Sequence, residues 1–138
     1  MALFDLFDVA GSGMTAQMVR LNTVASNMAN ASAAATSPDQ VYRPRVPVFA
    51  SALQDALGDS DAVGVRVLGI AESDRPPLAE YAPGNPVANA EGYVYIPNIS
   101  VAEEMADMIS ASRSFQSNVE VMNTTRDLML RTIQLGQN

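Results

Sequence analysis

Two pairs of carboxylates have the spacing required for acid–base chemistry in this sequence. Glu103 is adjacent to Glu104, and Asp59 lies two residues from Asp61. In such a pair, one carboxyl group can donate a proton while the other accepts one. The first pair opens a predicted helix, where negative charge stabilises the helix dipole. The second lies in the predicted loop "LGDSDAVG", which lacks the further ligands and terminal Glu of a calcium loop. We therefore predict structural roles for both pairs and no metal site.

The chain lacks the side chains that usually activate nucleophiles. It contains no His, Lys, Cys or Trp, so Ser110, Ser112, Ser114 and Ser117 have no neighbouring His or Lys as a base. The "GSG" at 11–13 follows no predicted strand and is not part of a G-x-G-x-x-G or Walker motif. We predict that the protein is not an enzyme and has no cofactor and no small-molecule substrate. An acidic hydrolase that uses Glu103 or Asp107 is the remaining catalytic alternative.

Length, composition and charge restrict the class of protein further. The chain has 138 residues, 48% of them hydrophobic, and a net charge of −7. This length fits one domain, and the negative charge argues against a nucleic-acid partner, which requires clustered cations. The first residues, "MALFDLFDVAG", lack the basic region of a secretory signal, and no apolar run is long enough to cross a membrane. These cues by themselves indicate a soluble cytoplasmic protein.

The prolines divide the sequence into three segments. All eight lie between residues 38 and 97. Because proline breaks helices, we expect an N-terminal helix within 1–37, an extended or β-hairpin region at 38–97 and a C-terminal helix within 98–138. The predicted fold class is mainly α, with the two long helices packed as a coiled-coil-like pair and a small, irregular β-rich middle region.

Apolar residues in both terminal segments recur at helical spacing. In the first segment Phe7, Met14, Leu21 and Met28 are seven residues apart, which predicts a narrow apolar seam. Gly11 and Gly13 interrupt this helix or permit the close approach of another helix; we favour close approach.

The second terminal segment opens with Ser100 and Glu103, which have the spacing of a helix capping box. A helix from there to Leu135 would be roughly 50 Å long. Its seam runs, in steps of four and three, through Val101, Met105, Met108, Ser112, Phe115, Val119, Met122, Arg126, Met129 and Ile133.

The middle segment reads as short strands. Alternating or β-branched residues predict strands near 41–49, 63–70 and 92–96, the last following the turn "PGNP". We expect a small antiparallel hairpin or a three-stranded sheet.

One face of the first helix is polar but uncharged. It carries Asn22, Thr23, Ser26, Asn27 and Asn30, and Arg20 is the one charged residue between Val9 and Pro38. Because Asn is a poor helix former, its repeated use suggests side-chain amides that bond to neighbouring chains. The sequence therefore favours a protein that assembles with other subunits.

Three separated segments resemble the axial proteins of the bacterial flagellum, most closely the proximal-rod subunits. They are "LFDVAGSGMTAQMVRLNTVASNMANASA", "YAPGNPVANAEGYVYIPNISVAEEM" and "SASRSFQSNVEVMNTTRDLMLRTIQLGQ". Residues 51–80 match these proteins only loosely. Phe115 departs from the family, in which Tyr is common at this position, so a hydroxyl contact is expected to be missing there.

The resemblance implies a non-catalytic rod subunit that polymerises into the periplasmic drive shaft of the flagellar basal body and transmits torque for motility. It also implies type III export without a cleaved signal, which replaces the cytoplasmic expectation above. The implied partners are other copies of the chain, the proximal-rod proteins FlgB and FlgF, the base protein FliE and the distal-rod protein FlgG, with the P-ring or peptidoglycan as further candidates.

The main alternative function is a small acidic helical chaperone or adaptor of a type III secretion system. In the rod interpretation, the seams and the amide face supply the contacts between subunits. We expect the following residues at subunit interfaces: Met14, Leu21, Asn22, Asn27, Met28, Asn30, Phe115, Val119, Met122 and Met129.

Overall fold

A computed structural model describes residues 2–52 and 63–136 of the chain. The elements follow in the order α1 (Ala2–Asn30), a short 3-10 helix (Pro38–Gln40), β1 (Arg45–Ala52), β2 (Gly64–Glu72), β3 (Leu78–Tyr81), β4 (Tyr93–Ile96) and α2 (Val101–Leu135). Two long terminal helices with a small antiparallel β region between them were predicted, and this is confirmed. The acidic pair Asp59 and Asp61 lies outside the described residues.

The two long helices run antiparallel and pack against each other. Asn27, near the end of α1, contacts Glu104 at the start of α2, whereas Gly13 lies beside Asn118 further along α2. A Cβ atom at Gly13 would lie only 2.8 Å from the amide nitrogen of Asn118. The helix continues through both glycines, so the expectation of a close helix approach is confirmed at Gly13.

The start of α2 is fixed by its cap. The Ser100 hydroxyl accepts a hydrogen bond from the Glu103 backbone N–H at 3.4 Å, as the capping-box spacing predicted. From there α2 continues without interruption for 35 residues to Leu135. Its length of about 50 Å at 1.5 Å per residue agrees with the sequence estimate.

The middle segment forms two separate two-stranded antiparallel sheets, β1–β2 and β3–β4, rather than one three-stranded sheet. Strand β3 was missed by the sequence analysis; Tyr81 in β3 lies opposite Tyr93 in β4, and their rings meet edge to face at 5.3 Å. Gly92, just before β4, has a φ of +82°, and a Cβ there would collide with the Tyr81 ring. Glycine is therefore required at this turn.

The described part of the chain has a core of small side chains. None of its large side chains is fully buried. Small cores bring helices close together but bury little apolar area, which is the main source of folding free energy. The buried apolar side chains are Ala10, Ala16, Val24, Val41, Val94 and Ala111.

Gly11 provides a test of the helix packing. A Cβ at this position would lie 3.9 Å from the Met122 methyl group, an ordinary contact distance. Gly11→Ala is therefore expected to raise the free energy of unfolding by about 0.5–1 kcal/mol, since alanine is the better helix former. Urea unfolding followed by circular dichroism at 222 nm measures this change.

Gly13→Ala is the matched control for Gly11→Ala. Its Cβ must displace the Asn118 amide, so the gain at this site is expected to be smaller. An equal or larger gain at Gly13 would contradict the helix spacing described above.

Candidate assembly surfaces

The side-chain amide of Asn27 joins three elements of the fold. Its nitrogen donates to the Arg45 carbonyl at 2.9 Å and to Glu104 Oε1 at 3.1 Å. Its oxygen accepts from the Arg45 N–H at 2.9 Å and from the Tyr42 hydroxyl at 3.0 Å. These four bonds use both donors and both acceptor lone pairs of an amide. The residue is 3% exposed, so α1, β1 and α2 are connected through a buried and fully bonded group.

A second bond fixes the other end of the β1–β2 pair, which we call the ribbon. The Ser12 hydroxyl accepts from the Val65 N–H at 3.0 Å. From Ser12 to Asn27, α1 extends about 22 Å at 1.5 Å per residue. From Arg45 to Ala52, β1 extends about 23 Å at 3.3 Å per residue. The ribbon therefore lies alongside α1 over matching lengths.

The ribbon and the Tyr42 segment cover only one part of the uncharged polar face of α1. Thr23 and Asn27 are buried, and Ser26 is half-buried with its hydroxyl 3.1 Å from that of Tyr42. The chain itself therefore supplies the bonding partners on this part of the face. The prediction that neighbouring chains bond this face is wrong for the amide of Asn27, whose four bonds are made within the chain.

A neighbouring row on α1 is not covered by any of the residues that the structure describes. Its members are exposed and uncharged, and they follow one another in steps of three and four, which places them along one side of the helix. We call this row the α1 stripe; it consists of Thr15, Met18, Asn22, Ala25 and Ala29.

The ten residues predicted at subunit interfaces occupy three kinds of position. Asn22 is exposed on the α1 stripe, and Asn27 is buried in the network above. The other eight are half-buried on α1 or α2, and their contact with other subunits stays a prediction. These eight are Met14, Leu21, Met28, Asn30, Phe115, Val119, Met122 and Met129.

Large apolar side chains are also exposed where α1 begins and α2 ends. Because the helices are antiparallel, these two termini lie at the same end of the pair. Exposed apolar groups that cluster in this way typically mark protein interaction sites. They are Phe4, Leu6, Leu128, Leu130, Ile133 and Leu135. None of these six is among the ten predicted interface residues, because spacing alone does not show which apolar residues are buried in the chain's own helix pair.

The carboxylates at the start of α2 are engaged in ion pairs and helix packing. Asp107 accepts from Arg20 at 2.7 Å, and Glu103 lies 3.8 Å from Arg75. Burial raises the pKa of Glu104 above its ordinary value of 4.5; the Asn27 bond opposes this shift, while nearby Asp107 and Glu103 reinforce it. In the described residues Glu104 Oε2 is buried without a hydrogen-bond partner. The ionised form of Glu104 is therefore destabilised at the point where the end of α1 meets the start of α2.

The described residues contain neither a metal site nor a membrane span. No group of three or more acidic side chains in residues 2–52 and 63–136 is placed to hold a metal ion. Neither α1 nor α2, over their described lengths, combines the length and hydropathy that a bilayer span requires.

Comparisons with known proteins point to one assembly. Residues 7–34 match the family model described as flagella basal body rod protein, and residues 90–135 match that of the flagellar basal body rod FlgEFG protein C-terminal region. The flagellar basal-body rod protein FlgC of Yersinia enterocolitica is 51% identical over 99% of this chain and 100% of its own length. FlgC of Salmonella typhimurium is 49% identical over the same shares. FlgC of Agrobacterium fabrum is 41% identical over 92% of this chain and 90% of its own.

Asn27→Asp tests the buried amide. A carboxylate cannot donate to the Arg45 carbonyl, and it would face Glu104 across a contact that is now 3.1 Å. The expected loss is about 2–4 kcal/mol in the free energy of unfolding at pH 7, measured by urea titration.

Tyr42→Phe is the matched control, since it removes one of the four bonds of the amide and keeps the ring. We expect it to cost about 0.5–1.5 kcal/mol. If Asn27→Asp were as mild as this control, the amide would not hold the three elements together.

Glu104→Gln tests the charge at the helix junction. The raised pKa means that the folded protein binds this proton more tightly than the unfolded chain does. The resulting stabilisation is fully present below the ordinary pKa of 4.5 and is lost as pH rises through the raised value. The variant lacks this loss, so its stability relative to the natural chain should increase between pH 4 and pH 7.

Thermal unfolding of both proteins across this range measures the difference. A stability difference between Glu104→Gln and the natural chain that is constant with pH would refute the assigned pKa direction.

Proposed function

The chain belongs to the FlgC family of flagellar basal-body rod proteins, and we propose that it polymerises into the proximal part of the rod. As a member of this family it is a structural subunit of the rod and not an enzyme, and it assembles with other basal-body components. The finer proposal is that it joins a periplasmic shaft that carries torque. Its neighbours there would be further copies, FlgB, FlgF, FliE and FlgG, with the P-ring or peptidoglycan outside.

The observation that carries the proposal is the imbalance between buried and exposed apolar groups. In the described residues the core consists of small side chains, whereas large ones are exposed along the ribbon, on α2 and at the shared helix end. Leu135 is 79% exposed and Phe4 is 69% exposed. The exposed part of these groups contributes nothing to the stability of a monomer, but a subunit that buries it against neighbours gains about 25 cal/mol per Å². Contacts repeated around a helical assembly would make the shaft stiff.

The helix pair is the part of the chain that we place in the rod core. We propose that α1 and α2 continue the coiled-coil-like packing between subunits, with the nine predicted interface residues other than the buried Asn27 at the contacts. Small groups along the α1 stripe permit close approach by another helix, as Gly13 does for α2 within the chain. Such packing needs no charged residues on the facing surfaces, and the stripe has none.

We also propose that the chain passes through the flagellar type III export apparatus and keeps its N-terminal residues. These residues begin the long helix α1, which supplies the stripe. Mass spectrometry of the protein recovered from purified basal bodies measures whether the N-terminal peptide is intact. Recovery of a shortened N-terminus would overturn this part of the proposal.

Ala25→Glu tests the rod contact without disturbing the isolated chain. Ala25 is exposed, so the helical content and unfolding of the purified variant should match those of the natural protein. In the rod the new carboxylate would be buried without a partner, at a cost of about 3 kcal/mol or more per contact. We expect loss of swimming in soft agar and absence of the rod from isolated basal bodies, in a host whose own gene is deleted.

Glu120→Arg is the control for Ala25→Glu. It changes the charge by two units at an exposed position of α2 that is already charged, and it should leave swimming intact. Normal rods and swimming with Ala25→Glu would contradict burial of the α1 stripe. The rod function itself is tested separately, by whether the natural chain restores swimming to the host whose own gene is deleted.

A further inference from the structure

The first two turns of α2 are held to the rest of the chain by few buried side chains. Pro97, just before the helix, and Ala111, within it, are both buried. Over residues 101–107, however, every residue is exposed except Glu104, which is half-buried. A helix is ordinarily docked on its neighbours by an apolar face. Here a carboxyl group occupies the position that packs inward, so the docking of these turns depends on an ionisable side chain.

The two carboxyl oxygens of Glu104 have different surroundings. Oε1 accepts a hydrogen bond from the Asn27 amide at 3.1 Å. Oε2 is buried and receives no hydrogen bond from the residues that the structure describes. An ionised carboxylate that is buried with fewer hydrogen bonds than water would supply loses free energy of hydration. The docked position of Glu104 therefore favours the neutral, protonated form.

The charged groups closest to Glu104 reinforce this preference. Asp107 and Glu103 lie on the same helix, and each is already paired with a cation: Arg20 of α1 is 2.7 Å from Asp107, and Arg75 is 3.8 Å from Glu103. Burial is the largest cause that raises the pKa of Glu104 above its ordinary value of 4.5, and the two acidic neighbours raise it further. The amide bond and the charge of Arg75 oppose this shift without cancelling it.

Strand β1 and the segment before it supply no ion pair to this carboxyl group. The Arg45 side chain lies 4.0 Å from Glu72 and 5.7 Å from the centre of the Tyr42 ring. The Tyr42 hydroxyl donates to the Asn27 amide. Among the described residues, no arginine lies within 4.0 Å of a Glu104 oxygen. Ionisation of Glu104 is therefore not compensated by any element packed against it.

A cleft beside Glu104 gives the ionised side chain access to water. The cleft has a volume of about 200 Å³ and lies between the start of α2 and the segments that contain Pro44 and Ser73. Outward movement of the first turns would transfer Oε2 from its buried position into this space. The ionised form gains hydration in that movement, whereas the protonated form gains little. Opening of these turns is therefore coupled to loss of the proton.

We propose that residues 101–107 form a pH-sensitive latch, which is docked on α1 and β1 while Glu104 is protonated and opens more often once Glu104 is ionised. The docked state binds the proton more tightly than the open state, so its extra stability is present at low pH and is lost as pH rises. The ion pairs of Asp107 and Glu103 have the opposite dependence, because they form only when those carboxylates are ionised. The direction of the change with pH therefore identifies the group in control.

The latch would make contacts with other chains depend on pH. A partner that requires residues 101–107 to be helical binds only the docked state and shifts the chain towards it. Such a contact is favoured by acid. The latch itself is a property of the isolated chain and does not rest on the rod function proposed above.

Hydrogen exchange of the full-length chain, followed by NMR between pH 5 and pH 7, tests the latch. Protection factors are used, because they remove the pH dependence of exchange in an unfolded chain. We expect the protection of the amides of 105–108 to fall about two-fold or more over this range relative to that of 118–125. Protection at 105–108 that is constant or rises with pH would overturn the inference.

Glu104→Gln and Glu103→Gln form the matched pair of variants. Glu104→Gln can still accept from Asn27 but cannot ionise, so the fall in protection should disappear. Glu103→Gln removes the adjacent carboxylate, which is exposed, and should retain the fall. A fall that persists in Glu104→Gln, or that vanishes in Glu103→Gln, would assign the pH dependence to another group and refute the latch. The trend in the natural chain decides the direction independently of either variant, and a failed latch leaves the rod function standing.

Discussion

The buried amide of Asn27 is the interaction on which the arrangement of the described chain depends. One side chain bonds the peptide of β1 in both directions, as a neighbouring strand would, and also reaches α2. Asparagine fits this position because it offers two donors and two acceptors at one planar group, whereas Asp cannot donate and Leu can do neither. With Ser12 at the far end, this contact fixes the ribbon along α1 and leaves the α1 stripe exposed.

The small core is a consequence of the close packing that this arrangement requires. Ala10, Ala16 and Ala111 are nearly inaccessible, and Gly13 lies where a larger residue would push Asn118 away. Small groups give good contact but little hydrophobic free energy per residue. Ion pairs such as that of Arg20 with Asp107 add about 1 kcal/mol at most, because both side chains are partly exposed. A chain built in this way has its larger apolar groups left for contacts with other chains.

The elements that sequence predicted well are those governed by local rules. Both helices were predicted from the absence of proline at the termini, the seven-residue apolar spacing and the cap at Ser100. The structure begins α2 one residue after this cap. The ribbon contact was not predicted, because Asn27 finds its partners 18 and 77 residues away along the chain. Strand β3 was also missed, since four residues carry too little alternation and its pairing depends on Tyr93 in another segment. The uncharged face of α1 was recognised from the sequence. Which of its residues contact the ribbon and which lie on the exposed α1 stripe could be seen only in the structure.

This division gives α1 two distinct tasks. Residues that carry hydrogen-bonding side chains, such as Ser12 and Asn27, face the ribbon, where directional bonds fix a single position along the helix. The α1 stripe is uncharged, and its apolar members Met18, Ala25 and Ala29 are small or flexible groups that tolerate neighbours that differ in detail. Hydrogen bonds therefore fix the fold of the subunit, and the surface of the α1 stripe is left to be buried when subunits assemble. Because burial scales with area and repeats at every copy, a shaft gains rigidity from contacts that are individually weak. The same exposed surface would favour aggregation of a free chain, so assembly and solubility place opposite demands on the α1 stripe.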